Sequence, residues 1–414
     1  MITCKKNKII FFLTMLYYSG SYISETIQNG QIILVIILGV MGIYSFIEAK
    51  GKFVIQIGWF VKYILIFLVF CVASMLWAQD PELIIPKRNA LLFILVAMIV
   101  IQYCHLYDTD IDDCIKAIMY GGYFFIIYIF LRYGISGVIN LVSDNMRISS
   151  ELLNSNAIGM CAAYSIVINL YYIVYKKMTL RDVLMIPALI ITIVSRSRKA
   201  IILIALGAIG VYILKNLKKK GFGVFLLKVL GGIVASILFI LAISRLPFMQ
   251  PIIGRLEDVW EMILGDGTRS NNSAWIRFAY TNLGVEIFKE NPITGIGIGN
   301  ANIYTQAAYG HNHYLHNNFV ELLACGGIVG FLLHYSMHLY LVRNLIKYWN
   351  YRDREYDICL ILLIAVLVMD FGVVSYYSRT HYLVLFSIWK KIKCLQKMET
   401  GINTYTYDDF ETVI

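Results

Sequence analysis

Arginine and histidine side chains gather in three short segments of this sequence. The first segment is Ser195-Arg-Ser-Arg-Lys199, the second surrounds Arg277, and the third contains His311, His313 and His316. An arginine guanidinium can bind phosphate through two parallel hydrogen bonds without a metal ion. A histidine can act as a general base because its pKa lies near neutrality. These residue types therefore predict chemistry on a phosphate-bearing substrate.

Each of these groups also has a purely structural interpretation. An arginine at a helix end can place its charge at the membrane interface, and an exposed arginine such as Arg277 is often only solvated. Histidines spaced like His311 and His316 could bind zinc, but no cysteine or acidic residue lies in the same strip, so no metal site is predicted. Glu321 and Asp370 lie inside apolar segments, where acids are either functional or paired to fix helix packing.

The composition places these residues in a membrane protein. Of the 414 residues, 59% are hydrophobic and only 15% are charged, whereas soluble chains carry about 25% charged residues. Apolar runs long enough to span a bilayer recur along the chain, and lipid requires that each spanning segment be helical. We therefore predict an all-α, polytopic integral membrane protein with about twelve transmembrane helices. Their predicted ranges are 8–24, 30–47, 55–77, 88–104, 114–134, 157–175, 182–195, 200–215, 224–244, 317–342, 358–377 and 380–390.

Lysine and arginine counts predict the orientation. With the N-terminus inside, the inner segments hold 20 of these residues and the short outer segments hold 7. The positive-inside rule then places both termini in the cytoplasm of a multi-pass protein of the cell membrane. The net charge of +10 is consistent with this topology, and nucleic-acid binding is not predicted because no compact basic domain exists. Arg196, Arg198 and Lys199 contradict the rule, since they fall on the outer side.

Residues 1–414 are predicted to form a single membrane domain with one large outer loop, residues 245–316, between the ninth and tenth helices. Two amphipathic helices are predicted inside this loop, one from Leu256 to Ile263 and one from Ile276 to Ile287. Asn291-Pro292 ends the second of them. The turn-rich strip Thr294-Gly-Ile-Gly-Ile-Gly-Asn300 follows. Loops of this length are usually functional or disordered.

Several motifs, taken in order, resemble the O-antigen ligase and Wzy-type O-antigen polymerase family. Ser197-Arg198-Lys-Ala200 is similar to the family's Ser-Arg-Gly-Ala element, with Lys199 in place of the glycine. Arg277 followed by residues 291–300 resembles the family's arginine and NPLtGvGlGN strip. His316-Asn317 with residues 327–330 resembles its HN…GliG element. Residues 74–81 and 147–159 resemble its earlier outer loops.

The resemblance implies a membrane glycosyltransferase that uses glycans carried on polyprenyl diphosphate and needs neither a metal nor a nucleotide, and so no cofactor. The implied catalytic residues are Arg198 and Arg277, which would stabilise the leaving diphosphate, and His316, which would orient or deprotonate the attacking hydroxyl. Glu321 could hold the imidazole. Two registers stay open, because Arg196 competes with Arg198 and His311 competes with His316. The implied substrate-binding residues are Arg196, Arg147, Asn317, Glu321 and His311.

The preferred function is a polymerase that joins lipid-linked oligosaccharide repeat units of an O-antigen or capsule. An O-antigen ligase, which transfers the glycan to another acceptor, shares the same chemistry. A secondary polysaccharide or solute transporter is the alternative from another class, although the sequence shows no two related halves. Expected partners are the lipid-linked donor and acceptor glycans, membrane lipid, and a chain-length regulator and flippase of the same pathway.

Overall fold

A computed structural model describes residues 7–51, 58–105, 111–143, 148, 153–217, 231 and 273–400. Within these residues every regular element is a helix, as predicted. The longer helices are α1 (Lys8–Ile23), α2 (Gln31–Glu48), α3 (Trp59–Ala73), α4 (Ile85–Cys104), α5 (Asp112–Ser143), α6 (Ser155–Tyr175), α7 (Met185–Ser195), α8 (Arg198–Leu217), α9 (Ser273–Glu290), α10 (Ala301–Tyr309), α11 (Asn318–Lys347), α12 (Arg354–Met369) and α13 (Arg379–Thr400).

Seven of the described helical segments are long and apolar enough to cross a membrane. They comprise α2, α3 with the turn that follows it, α4 with the turn that precedes it, α5, α6, α8 and α11. The shorter helices α1, α7 and α12 have 16, 11 and 16 residues. The predicted ninth span, the first loop helix and Arg147 lie outside the described residues. The count of twelve spans therefore stays a prediction.

Side-chain caps determine where several helices begin. Asn7 Oδ1 accepts hydrogen bonds from the backbone of residues 9 and 10 at the start of α1. Asn154 caps α6 through the amide of Asn156 at 2.9 Å, and Asp353 caps α12 through the amide of Tyr356 at 2.8 Å. Each cap satisfies a backbone donor that has no partner within the helix.

Segments predicted to face the cytoplasm contact one another at one end of the bundle. Lys176, after α6, donates to Asp112 Oδ2 at 3.0 Å, at the start of α5. Arg352, before α12, donates to the Leu214 carbonyl of α8 at 2.7 Å. All the segments that meet here are predicted to face the cytoplasm. These contacts are therefore consistent with the helix directions predicted from the charges.

Segments predicted to face outward contact one another at the other end. The Asp80 amide, between α3 and α4, donates to Asn300 Oδ1 at 2.8 Å. Arg379, at the start of α13, donates to Gln31 Oε1 at 2.6 Å, at the start of α2. Which of the two ends faces the cytoplasm remains a prediction from the charge asymmetry.

Helix α11 is interrupted at Gly327, which has φ 60° and ψ −165°. Residues 291–300, here called the glycine strip, pair with the backbone on both sides of the interruption. The four hydrogen bonds run from Ile296 N to Ala324 O (3.1 Å), Gly297 N to Cys325 O (2.9 Å), Ile328 N to Pro292 O (2.9 Å) and Val329 N to Ile293 O (3.1 Å). The strip therefore satisfies backbone groups that a broken helix would otherwise leave unpaired.

Close approach of the two backbones explains the glycines at this junction. A Cβ atom on Gly327 would lie 2.2 Å from the Ile293 carbonyl oxygen, and one on Gly295 would lie 2.4 Å from the carbonyl carbon of Cys325. Both residues also have a positive φ, 60° and 64°, which side-chain-bearing residues rarely adopt. The repeated glycines of the strip thus serve backbone pairing.

The far end of the strip is attached to the motif at residues 74–81. The Ile298 amide donates to Ser74 Oγ at 3.2 Å, and the Asn300 side-chain amide donates to the Asp80 carbonyl at 3.1 Å. Two segments that are far apart in the sequence and that both resemble family motifs are therefore one structural unit.

The predicted bounds of the eleventh span, residues 358–377, were wrong. Helix α12 ends at Met369, and the apolar residues that follow form a turn. Asn318, at the start of α11, holds this turn. Its side-chain oxygen accepts hydrogen bonds from the backbone amides of Ser375 at 2.9 Å and Tyr376 at 3.3 Å. Its backbone amide donates to the Asp370 backbone carbonyl at 2.7 Å. Hydropathy cannot distinguish a buried turn from a helix.

The predicted last span, residues 380–390, was too short. Helix α13 continues to Thr400, past the end of the apolar run. Lys391 is buried and bonds to Asp353 Oδ2 at 2.6 Å and to Glu355 Oε2 at 3.1 Å. A charged pair therefore continues the helix where the apolar run ends.

We predict that Gly327→Ala lowers the stability of the protein. The left-handed conformation alone costs about 1–3 kcal/mol for a residue with a side chain, and the new Cβ would also meet the strip backbone. Gly39→Ala in α2 is the matched control, because nothing lies within 4 Å of a Cβ there. Thermal unfolding of the purified protein should show a lower midpoint for Gly327→Ala only. Equal midpoints for both variants would contradict the pairing.

Candidate functional site

The Ser195–Ala200 turn joins α7 to α8 and carries Arg196, Arg198 and Lys199. Ser195 and Ser197 are buried, and their hydroxyls shape the turn: Ser195 Oγ donates to the Thr192 carbonyl at 2.7 Å, and Ser197 Oγ accepts from the Ala200 amide at 3.4 Å. Gly159 of α6 packs against it so closely that a Cβ there would lie 2.4 Å from Ser195 Oγ. The serines and glycine of these motifs therefore fix the turn.

Arg196 and Arg198 are both half-buried, but they occupy different backbone positions. Arg196 is the C-cap of α7 in a left-handed conformation with φ 49°, whereas Arg198 is the first residue of α8. The N-terminus of a helix carries a partial positive charge, so a cation there strengthens an anion-attracting potential. This position favours Arg198 over Arg196 as a phosphate ligand.

Lys199, which replaces the family glycine, is directed into the protein. Its ammonium group donates to the Gly372 carbonyl in the turn after α12, and a Cβ on Gly372 would lie 3.0 Å from Lys199 Cε. Lys199 was not predicted to be a site residue. The only indication in the sequence was that a charged residue replaces the expected glycine.

Arg277 lies in α9, a helix that covers the residues predicted to form the second loop helix. The apolar face of this helix is buried at Ala279, Tyr280 and Ile287 and packs mainly on α11. Gly284 allows this contact, since a Cβ there would lie 2.4 Å from Val320. Helix α9 therefore holds Arg277 beside the start of α11.

Of the three histidines in the loop before α11, His316 is the one that is packed most closely by neighbouring aromatic rings. It has a left-handed backbone with φ 60°, and its ring lies 6.1 Å from Tyr280, nearly parallel, and 4.2 Å from Tyr314. Desolvation by burial lowers the pKa of His316 to about 3, and the positive charges of Arg277 and Lys199 contribute to this lowering. The imidazole is therefore neutral at physiological pH.

His311 and His313 lie on the exposed part of the same loop. The rings of His311 and His313 are 6.3 Å apart, and those of His313 and His316 are 6.2 Å apart. Within the described residues, the group whose atoms lie close enough to share a metal ion is a different one, formed by His334, His338 and His381.

Glu321 and Asn317 have structural partners in this fold. Glu321 Oε2 accepts a hydrogen bond from the Leu315 amide at 2.7 Å, so the carboxylate holds the loop backbone next to His316. Asn317 caps α11 by accepting from the amides of Phe319 and Val320 at 3.0 and 3.2 Å. The expected contact of Glu321 with the imidazole is thus replaced by a contact with the backbone before it.

A cavity of about 340 Å³ with several charged lining residues lies among the predicted outer segments. Its charged lining residues are Glu25, Lys199, Asp370 and Arg379, and Tyr314 connects its wall to the His316 loop. Asn154 and Asn156 of the motif before Gly159 line it as well. The cavity therefore adjoins both the Ser195–Ala200 turn and the histidine loop, as a substrate site would require.

The structure brings together several segments that the sequence only suggested were related. Arg277, Lys199, Tyr314 and His316 interact electrostatically at one place, beside the turn that bears Arg198. Tyr280 and Tyr314 were not predicted, because tyrosine is abundant in this chain, with 30 residues. In the sequence, these two tyrosines could be related to the site only through their short spacing from His316 and Arg277.

Comparison with protein-family models gives a match to part of the chain. Residues 183–335 match the family model described as O-antigen ligase, and this range contains the Ser195–Ala200 turn, Arg277, the glycine strip and His316. No curated protein matches the chain. The resemblance inferred from the motifs is thereby confirmed for this part of the chain: residues 183–335 are similar to the O-antigen ligase family.

Proposed function

We propose that this protein is a polysaccharide polymerase of the cell membrane that transfers a growing glycan from its polyprenyl diphosphate carrier to a second lipid-linked repeat unit. The observation that carries the proposal is the placement of His316 in the positive field of Arg277 and Lys199, next to the cationic start of α8. Such a site suits a reaction in which a diphosphate leaves.

The bond exchange uses the side chains of this site in a simple order. The acceptor hydroxyl oxygen attacks the anomeric carbon of the donor, and the bond from that carbon to the diphosphate oxygen breaks. The diphosphate leaves with the electron pair, and the hydroxyl proton passes to the His316 imidazole. Arg198 and Arg277 stabilise the charge that grows on the leaving group, since preorganised cations in a water-poor site stabilise the transition state most. Neither a nucleotide nor a metal ion takes part in this exchange.

Binding of the donor also prepares His316 for its role. In the free site, burial and nearby positive charge keep the imidazole neutral and only weakly basic. A bound diphosphate brings negative charge close to Arg277 and Lys199 and offsets their effect. The part of the pKa lowering that comes from these two charges is then offset, whereas the larger part, which comes from burial, remains. Donor binding therefore makes His316 more basic than it is in the free site.

Polymerase and ligase differ only in the acceptor, which a purified system can distinguish. We expect the protein, with one type of lipid-linked repeat unit as its only substrate, to produce a ladder of longer lipid-linked glycans. A gel of the glycans, or mass spectrometry of the lipid-linked products, reads the result. Product formation only after a different acceptor lipid is added would identify a ligase. Accumulation of unmodified substrate on one side of a vesicle would identify a transporter.

We predict that Arg198→Ala and Arg277→Ala each reduce the polymerisation rate by about 10²–10³-fold, the usual cost of losing one preorganised donor to the transition state. Arg198→Lys and Arg277→Lys should restore little activity, because an ammonium group cannot form the bidentate pair. The measurement is the initial rate of ladder formation, normalised to the amount of protein in the membrane.

The matched control for Arg277 is Lys289→Ala, because Lys289 is exposed on the same helix. This variant should polymerise at nearly the wild-type rate. Full activity of both lysine variants would exclude bidentate binding. An inactive Arg196→Ala together with an active Arg198→Ala would assign the role to Arg196 instead.

We predict that kcat/KM does not fall through protonation of His316 as the pH drops from about 7.5 to about 5.5. Because the folded pKa is lowered to about 3, the free enzyme keeps a neutral imidazole over this whole range. A histidine with a pKa of about 6.5 would lose roughly ten-fold at about pH 5.5. His311→Gln should keep the wild-type profile and rate, whereas His316→Gln should lower the rate. An acid limb near the ordinary histidine pKa that His316→Gln abolishes would contradict this assignment.

A further inference from the structure

Three histidines from two helices meet inside the bundle. His334 and His338 are four residues apart and therefore lie on one face of α11, and His381 lies near the start of α13. One nitrogen from each ring lies within 4.8 Å of the other two. The ring centroids are 5.2 Å apart for His334 and His338, 5.5 Å for His338 and His381, and 6.1 Å for His334 and His381.

The ring nitrogens of this cluster are buried without hydrogen-bond partners. The three side chains have relative exposures of 0%, 2% and 9% in chain order. The unpartnered atoms are His334 Nε2, His338 Nδ1, His338 Nε2 and His381 Nε2. Buried polar atoms in proteins are nearly always paired, so four such atoms at one place indicate a missing ligand.

Tyr63 of α3 supports the cluster from outside. Its hydroxyl lies 3.2 Å from His334 Nδ1. When Nδ1–H donates to the hydroxyl oxygen, the other nitrogen, Nε2, keeps its lone pair, and Nε2 is the atom without a partner. Histidines that bind metals almost always donate their second nitrogen to such an oxygen, which fixes the ring and its tautomer.

An acidic side chain and an access path are also present. Asp370 accepts a hydrogen bond from the Tyr335 hydroxyl at 2.9 Å, and the Tyr335 ring lies 5.0 Å from both His334 and His338. His381 and Asp370 line the same cavity of about 340 Å³. A cation could enter through this cavity, and the carboxylate would offset part of its charge.

We propose that His334, His338 and His381 bind one Zn²⁺ ion, which ties α11 to α13. Imidazole nitrogens are good ligands for zinc and related transition ions. Zinc–nitrogen bonds of about 2.0–2.1 Å place tetrahedral ligands about 3.3 Å apart, so the rings move inward by roughly an ångström. A water molecule from the cavity completes the coordination. The ion holds helices together and is separate from the arginines that stabilise the leaving group.

The test measures metal binding by the purified full-length protein and involves no glycan. The protein carries an affinity tag without histidines, is stripped with chelator, and is then titrated with Zn²⁺. We expect one Zn²⁺ per chain by elemental analysis, and Co²⁺ in its place should give the visible absorption of a tetrahedral site. His334→Gln, His338→Gln and His381→Gln should each weaken zinc binding by at least ~100-fold, since loss of an outer hydrogen bond alone costs about 10–100-fold.

Three further variants distinguish this site from zinc binding elsewhere in the protein. His105→Gln removes a buried histidine elsewhere in the fold and should leave zinc binding unchanged. The triple variant His311→Gln, His313→Gln, His316→Gln should also bind one ion. Tyr63→Phe should weaken binding by about 10–100-fold while keeping all three ligands.

Protein stability provides an independent measurement. Zinc should raise the unfolding temperature of the wild type and leave that of the three ligand variants unchanged. Less than about one-tenth of an ion per chain in the wild type at saturating zinc would overturn the proposal. Loss of zinc in the loop triple variant, with full binding in the three ligand variants, would overturn it as well. Either result would leave the arginine assignments untouched.

Discussion

The hydrogen bonds between the glycine strip and the interrupted helix α11 are the constraint on which the site depends. Four backbone bonds connect the strip to residues on both sides of Gly327. The strip follows α9, which carries Arg277, and the interruption follows the loop that carries His316. Pairing of the two segments therefore fixes the distance between an arginine and a histidine that belong to different segments of the chain. Attachment of the strip to Ser74 and Asp80 connects this unit to the segment between α3 and α4.

A second constraint keeps the cations of the site on the same side. The Ser195–Ala200 turn places Arg198 at the start of α8, and Lys199 reaches the turn after α12. Asn318 and Asp370 hold that turn against α11. Lys199 thus lines a cavity whose walls come from several helices of the chain. An anionic substrate would compensate the mutual repulsion of these charges, which favours binding before chemistry.

Much of the fold could be predicted from the sequence because lipid imposes a simple rule on spanning segments. Apolar length identified α1 to α8, and the motif arginine lies on a helix, as its spacing predicted. The predicted bounds of the last two spans were wrong because polar side chains with partners inside the protein decide where these helices end. Asn318 turns an apolar stretch into a buried turn, and Lys391 continues a helix beyond its apolar run. Both outcomes depend on partners that are distant in the sequence, so no local pattern could reveal them.

The candidate site was predictable in its charges but not in its contacts. Arg198, Arg277 and His316 stand in motifs, whereas the structural partners of Glu321 and Asn317 could not be inferred from spacing. The cluster of His334 and His338 with His381 was missed for the same reason, although a spacing of four on one helix was visible. The third histidine lies on another helix, and only packing shows that it comes close.

The interruption in α11 has a consequence for how the protein is made. The polar atoms at Gly327 are satisfied by the glycine strip, and a lipid environment offers them nothing else. During synthesis the strip leaves the ribosome before α11 does. A nascent α11 that met lipid alone would remain a straight, continuous helix, since that form satisfies its own backbone. We therefore infer that α11 bends only when the glycine strip docks on it, so that membrane insertion and assembly of this region are coupled.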